Sequence, residues 1–294
     1  MKRILFEGTA TALATPFFKD GIDEKSLRNL VEFQIAGGVS GMVACGTTGE
    51  ASTLTEDEWS RTVQIVVAQT KGRVPVIAGT GGNNTADVIR RAHKARELGA
   101  AAQLCVTPYY NKTTQRGLIA HYTAIAEDGS LPVIIYNVPA RTGLSVTAET
   151  MAVLSEVDNI VAIKEASANL VLVADILRLC EGRIAVYSGA DEVIVPLMSL
   201  GGLGVISVIS NVAPRQVSDL TDAMLSGDYK EAARLQLRLL PLTHALFSEV
   251  SPIPLKAAMA LMGLGDNHVR LPLVPLGEEN AEKLKQEIKK LGLI

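Results

Sequence analysis

Very little in this chain points to a membrane, a metal or an oxidising compartment. It has three cysteines, Cys45, Cys105 and Cys180, an odd number at wide spacing among apolar neighbours. That pattern suits buried thiols in a reducing compartment rather than a disulfide framework. Aromatics make up only 4% of the residues, so the core is expected to be aliphatic. No uninterrupted apolar run reaches the roughly 18 residues of a transmembrane helix, and the N-terminal Lys2-Arg3 lacks a following signal-length apolar run. The formal net charge of -3 offers no basic face to nucleic acid or to an anionic membrane. Histidine is scarce as well. His93, His121, His244 and His268 fall in expected helices or in the C-terminal part, away from strand ends, which disfavours a metal site or a serine triad. A cytoplasmic enzyme without a metal is the expectation.

What is present is a repeat of short apolar runs and amphipathic segments. With 48% hydrophobic and 20% charged residues, the 294-residue chain can bury a large core. Strands are expected at Gly8–Thr15, Gly41–Cys45, Val74–Ala78, Ala101–Val106, Val133–Tyr136, Ile160–Lys164, Ile184–Tyr187 and Gly204–Ile209. Helical patterns separate them. Asp23 is placed to cap the first, Thr55 with Glu58 forms a capping box for the second, and Pro214 begins the eighth. Strands alternating with helices imply a parallel sheet, and eight units at roughly 25–30 residues each fit a closed (β/α)8 TIM barrel. The competing open, doubly wound sheet usually carries a glycine-rich turn after its first strand. Here that strand ends in Ala14-Thr15-Pro16-Phe17-Phe18. Residues 1–226 are therefore read as the barrel. Residues 227–294, with helices expected over Tyr229–Phe247, Pro254–Met262 and Glu278–Leu291, are read as a C-terminal helical extension.

A barrel of this kind places its chemistry at the C-terminal ends of the strands. Thr47, Thr48 and Glu50 follow the second strand, Tyr109 and Tyr110 the fourth, Tyr136 and Arg141 the fifth, and Lys164 the sixth. Gly189 and Ile206 mark the seventh and eighth. Alone, Lys164 reads as a solvated charge at a strand end. On this rim it reads differently, because Ile160, Ala162 and Lys164 share one strand face and an inward Ala162 brings Lys164 inward with it. Burial would lower its pKa and supply the neutral amine that carbonyl chemistry needs. Tyr136 is either a core aromatic or the buried phenol partner of that amine. Arg141, between Pro139 and Gly143, is placed to clamp a carboxylate. Gly201-Gly202-Leu203-Gly204 admits a phosphate-loop reading, but a tight turn needs the same glycines and no Lys or Arg stands beside it.

Five segments at these strand ends carry a resemblance: Gly46-Thr47-Thr48-Gly49-Glu50, Thr107-Pro108-Tyr109-Tyr110-Asn111, Tyr136 to Gly143 (Tyr-Asn-Val-Pro-Ala-Arg-Thr-Gly), Ile163-Lys164-Glu165-Ala166 and Gly204-Val205-Ile206-Ser207. Together the chain resembles, nearly end to end, the 4-hydroxy-tetrahydrodipicolinate synthase (dihydrodipicolinate synthase) family, within the superfamily of N-acetylneuraminate lyase. The resemblance implies condensation of pyruvate with L-aspartate 4-semialdehyde through a lysine Schiff base, in lysine and diaminopimelate biosynthesis, with no cofactor. It implies Lys164 as the imine-forming residue and Tyr136, Thr47 and Tyr110 as a proton relay. Thr48, Gly189 and Ile206 would bind substrate, and Arg141 would hold the aldehyde's carboxylate. It also implies that Tyr110 reaches into a neighbouring subunit, so a homo-oligomer is expected, usually a tetramer built as a dimer of dimers. The family's regulatory cleft maps onto Ser52, Leu54, Glu56, Trp59, Asn83, Asp87 and Tyr109. Glu56 and Trp59 stand where lysine-sensitive bacterial members carry histidine, so weak or absent inhibition by lysine is expected. Two alternatives stay open: a related pyruvate aldolase with a keto-sugar or sialic acid type substrate, and a non-catalytic binding barrel.

Overall fold

The computed structural model describes residues 2–128 and 131–294; Met1, Gly129 and Ser130 lie outside the described residues. Eight strands form a closed parallel barrel: β1 (Gly8–Ala12), β2 (Gly41–Ala44), β3 (Val76–Gly79), β4 (Ala102–Val106), β5 (Val133–Asn137), β6 (Ile160–Glu165), β7 (Ala185–Ser188) and β8 (Gly204–Ser207). Each pairs with its neighbours in the sequence, and β8 closes on β1. All eight expected strands are present, with ends that differ from the expected ones by at most three residues. A two-stranded hairpin, Phe17–Phe18 with Gly21–Ile22, follows β1 and was not foreseen. Neither was the single-turn helix Pro139–Thr142 after β5.

Local chemistry starts the helices where the sequence indicated. The Asp23 carboxylate accepts from Ser26 N, and the reciprocal Thr55–Glu58 capping box is formed. Such caps satisfy backbone N–H groups that the first helical turn leaves without partners. The barrel interior is filled from alternate positions of the strands, among them Ala10, Ala12, Val43, Ile77, Leu104, Ile134, Ala162 and Ile206. Small residues there leave space for aromatics. Tyr187 enters the interior, stacks on Phe6 with centroids 4.2 Å apart and donates to the Phe6 carbonyl at 2.7 Å. The core is thus mainly aliphatic, but its lower plug is aromatic.

Strand β6 departs from simple alternation. Val133 pairs with Ile160 and Ile134 with Ala162, so the register shifts by one residue between them. Ile160 therefore packs among the outer helices, while Val161 and Ala162 both join the interior. The expected shared face of Ile160 with Ala162 and Lys164 is wrong for Ile160, because the bulge intervenes and Val161 turns inward in its place. From Ala162 onward the alternation resumes.

The helices Tyr229–Leu246, Ile253–Leu261 and Glu278–Lys290 match the expected C-terminal set. Leu239, Leu242, Leu255, Leu284 and Ile288 share one hydrophobic cluster with barrel residues such as Leu30, Val63 and Val205. The extension thereby continues the barrel's own core. Among the described residues, no helix is long and apolar enough to cross a membrane.

Candidate active site

The pairing of β5 with β6 sets Tyr136 directly beside Lys164 and Asn137 beside Glu165. The second pair braces the first. Asn137 Nδ2 donates to Glu165 Oε2 at 2.7 Å, Asn137 Oδ1 accepts from Val146 N, and Glu165 Oε1 accepts from Ser167 N. These bonds tie both strand ends to the loops that follow. The alternate side chains, Tyr136 and Lys164, then point into the top of the barrel. Lys164 is 4% exposed, and its Nζ lies 4.5 Å from the centroid of the Tyr136 ring.

Burial dominates the acid–base properties of both groups. It draws the Lys164 pKa down from 10.5 to about 8; the carboxylate of Asp191 opposes that shift and the charge of Arg141 adds to it. At pH 7 about a tenth of the amine is then neutral, against well under a thousandth for a lysine in water. Burial raises the Tyr136 phenol, while Arg141 and the Thr47 hydroxyl act in the other direction. The phenol thus stays protonated beside a partly neutral amine, as a general acid should.

Lys164 opens into a cavity of about 460 Å³ that is also lined by Tyr136, Thr47, Thr48, Arg141 and Gly189. Gly189 is required sterically. A Cβ there would stand 2.9 Å from Lys164 Cε and 2.6 Å from Ala166 Cβ. The far wall comes from the C-terminal extension through Phe247, Glu249 and Ser251. Arg141 Nη2 donates to the Ser251 carbonyl at 3.1 Å, which leaves the rest of the guanidinium fork for an anion. Ile206 does not line the cavity: its side chain is buried in the barrel interior below, and Val208 takes its place in the wall.

Glu50 also turns away from the cavity. It is buried and forms an ion pair with Lys256 of the extension. Tyr110 is 92% exposed with a φ of +67°, and it does not join its own chain's cavity. Its neighbour Asn111 is tied to Asn83 O, and Asn83 in turn donates to Tyr109 O.

Glu56, Asn83, Asp87 and Tyr109 gather around a smaller cleft of about 190 Å³, together with Arg90 and Arg91. Ser52 lines an adjoining cavity with Tyr109 and Thr47. Two of the residues mapped to this region do not reach the cleft. Trp59 is fully buried and donates its indole N–H to Gly79 O at 2.9 Å, and Leu54 is buried in the core. Arg90 and Arg91, which sequence reasoning missed, both pair with Glu56 and hold its carboxyl below the usual range.

Asp191 was missed as well. It follows the Ser188-Gly189 turn and its Oδ2 accepts from Val208 N and Ile209 N, linking the ends of β7 and β8. An acid two residues after a strand-end glycine was the available signal. The glycines Gly201 to Gly204 lie at the opposite end of the barrel from Lys164. Gly204 pairs with Gly8, and a Cβ on it would collide with the Gly8 backbone, so close strand approach explains it. Among the described residues, no three His, Cys, Asp or Glu side chains are grouped to hold a metal ion.

Residues 5–291 match the model of the dihydrodipicolinate synthetase family. The chain is 50% identical over 290 residues to a 4-hydroxy-tetrahydrodipicolinate synthase of Geobacter sulfurreducens, covering 99% of this chain and 100% of that one. It is 48% identical over 291 residues to one from a Thermoanaerobacter species, covering 99% and 98%. Among solved structures, dihydrodipicolinate synthase from Thermotoga maritima superposes with a TM-score of 0.97 at 41% identity, over 99% of this chain and 100% of that one. The chloride-inhibited enzyme from Acinetobacter baumannii, complexed with pyruvate, superposes with a TM-score of 0.96 at 43% identity and the same coverage.

Proposed function

The chain belongs to the dihydrodipicolinate synthetase family, and from that premise we propose how its rim performs the reaction. The activity is that of a 4-hydroxy-tetrahydrodipicolinate synthase: condensation of pyruvate with L-aspartate 4-semialdehyde in lysine and diaminopimelate biosynthesis. The observation that carries the residue roles is the buried Lys164 amine facing the Tyr136 phenol.

Neutral Lys164 attacks the ketone carbon of pyruvate. The carbinolamine loses water to give the imine, and Tyr136 supplies and recovers the protons. Thr47 relays them, and Tyr110 of a neighbouring copy completes the relay. The Thr47 and Thr48 hydroxyls and backbone N–H groups bind the pyruvate carboxylate, with Gly189 and Val208 lining the pocket. Loss of a methyl proton turns the imine into an enamine. The enamine carbon then bonds to the aldehyde carbon of the semialdehyde, whose carboxylate Arg141 holds. The substrate's own amine attacks the imine carbon, closes the ring and releases Lys164 as a free amine.

Two features support a homo-oligomer. Tyr110 is an exposed aromatic held in a left-handed backbone conformation, and it has no role within its own chain's cavity. A dimer of dimers in the cytoplasm is the arrangement we propose. The regulatory set Ser52, Glu56, Asn83, Asp87 and Tyr109 would bind lysine weakly or not at all, because Glu56 is already neutralised by Arg90 and Arg91. Arg141 favours a small acidic acceptor over a sugar aldehyde. Side-by-side assays of acceptor aldehydes with pyruvate test this; a clear preference for a keto-sugar precursor would overturn the assignment of acceptor.

A further inference from the structure

The loop bearing Thr47 and Thr48 is short, and it ends on a buried charge. Gly49 N donates to Gly46 O and Glu50 N to Thr47 O, so the segment is a compact turn. Glu50 closes it with a φ of +52°, a conformation that is unfavourable for a residue with a Cβ. Its carboxylate is held from the other side of the molecule. One oxygen pairs with Lys256, whose side chain is fully buried; the other accepts from Arg270 N at 3.1 Å. Lys256 also donates to His268 O at 2.9 Å, and its Nζ lies 3.9 Å from the centroid of the Phe17 ring. Arg270 covers the same ring at 4.2 Å, donates to Thr53 O, and forks onto Glu58. Phe17 comes from the hairpin after β1, Glu50 from the loop after β2, and both cations from the extension. None of these side chains lines the cavity around Lys164.

A buried ion pair is seldom retained for stability alone, because apolar residues of similar volume replace such pairs at little or no cost. What this one supplies is position. A carboxylate locked between Lys256 and the Arg270 backbone fixes the C-terminal end of a turn whose second and third residues touch the substrate cavity. We propose that Glu50 and Lys256 are positioning residues for the condensation, a clamp by which the C-terminal extension sets the Thr47–Thr48 loop against the imine-forming amine. The extension thereby holds the site at two places: here, and at Ser251, where it orients Arg141.

The proposal rests on the roles given above to Thr47 and Thr48, and its test separates the two. The double variant Glu50→Gln/Lys256→Met removes both charges while keeping an acceptor for Arg270 N and filling the lysine's volume. We expect its melting temperature to stay near that of the parent. The rate of borohydride-trappable adduct formation from pyruvate should fall by about 10- to 100-fold, the scale on which small misplacements of reacting groups are felt. In a Thr47→Val background the same double change should have little further effect, because the clamp acts through that loop. If Thr47→Val alone is parent-like, the assignment of Thr47 fails. If Thr47→Val is impaired but the clamp variant is parent-like in kcat and in KM for pyruvate, the clamp fails. Should the double variant not fold, Glu50→Asp, which keeps the charge but draws the carboxylate back from Lys256 and Arg270 N, decides in its place. A loss in pyruvate kinetics at unchanged melting temperature supports the clamp, and parent-like kinetics refute it.

Discussion

Lys164→Met separates the catalytic worth of this amine from its structural cost. Methionine matches the length of the side chain but carries no charge. In the folded protein the Lys164 pKa lies near 8 rather than 10.5, because burial penalises the ammonium. A depression of that size corresponds to about 3 kcal/mol of lost stability when the amine is charged. Below pH 8 both folded and unfolded chains carry the proton, so the penalty is present in full. Between pH 8 and 10.5 the folded chain has released it while the unfolded chain still holds it. Stability contributed by this group therefore rises with pH across that window, and above it the penalty is gone. The methionine variant should accordingly be inactive yet more stable at pH 7 by up to about 3 kcal/mol, equivalent to about 5 °C in Tm for a chain of this size. The opposing pull of the Asp191 carboxylate is already contained in that net depression. Lys256 is common to both proteins and cancels. Denaturant titrations of parent and variant at pH 7 and pH 9.5 measure the effect. A variant less stable than the parent at pH 7, or a gain as large at pH 9.5 as at pH 7, would refute the reasoning.

Other substitutions address single walls of the site. Tyr136→Phe keeps the ring against Lys164 and removes the proton donor; kcat should fall by roughly 10²- to 10⁴-fold, with an unchanged melting curve. Gly189→Ala drives a methyl into Lys164 Cε and Ala166 Cβ, so pyruvate turnover should fall by about 10²-fold; normal kinetics would show that Lys164 has other room. Arg141→Ala should raise KM for the semialdehyde while pyruvate alone still forms its adduct at close to the parent rate. Millimolar lysine should leave most of the activity in a steady-state assay, and near-complete inhibition would show that Glu56 can release Arg90 and Arg91 to admit a ligand.

Much of this arrangement was legible in the chain because it depends on local rules. Apolar runs ending in polar residues gave all eight strands, and residue parity from Ala162 to Lys164 turned the lysine inward. Parity failed only at Ile160 and Val161, where a register shift depends on how β5 and β6 meet rather than on either sequence. Long-range pairing was the blind spot. Glu50 stood correctly on the rim by position, but nothing nearby in sequence reveals that Lys256 draws it away from the cavity. Lys256 itself, between Leu255 and Ala257, gives no local sign of being buried. Trp59 was likewise assigned by its place in the chain, and only the packing of its helix on β3 sends the indole inward to Gly79. Tyr110 has a legible position, whereas its proposed partner belongs to another copy.

The central claim is that Lys164 bonds to pyruvate as a neutral amine, and trapping measures it directly. The protein is mixed with pyruvate and borohydride over a range of pH, and the modified peptide is identified by mass spectrometry. The account predicts one adduct, on Lys164, forming at a rate that climbs with pH and levels off above about pH 8. No adduct, an adduct on a different lysine, or a rate that rises only near the pKa of an ordinary lysine would contradict it.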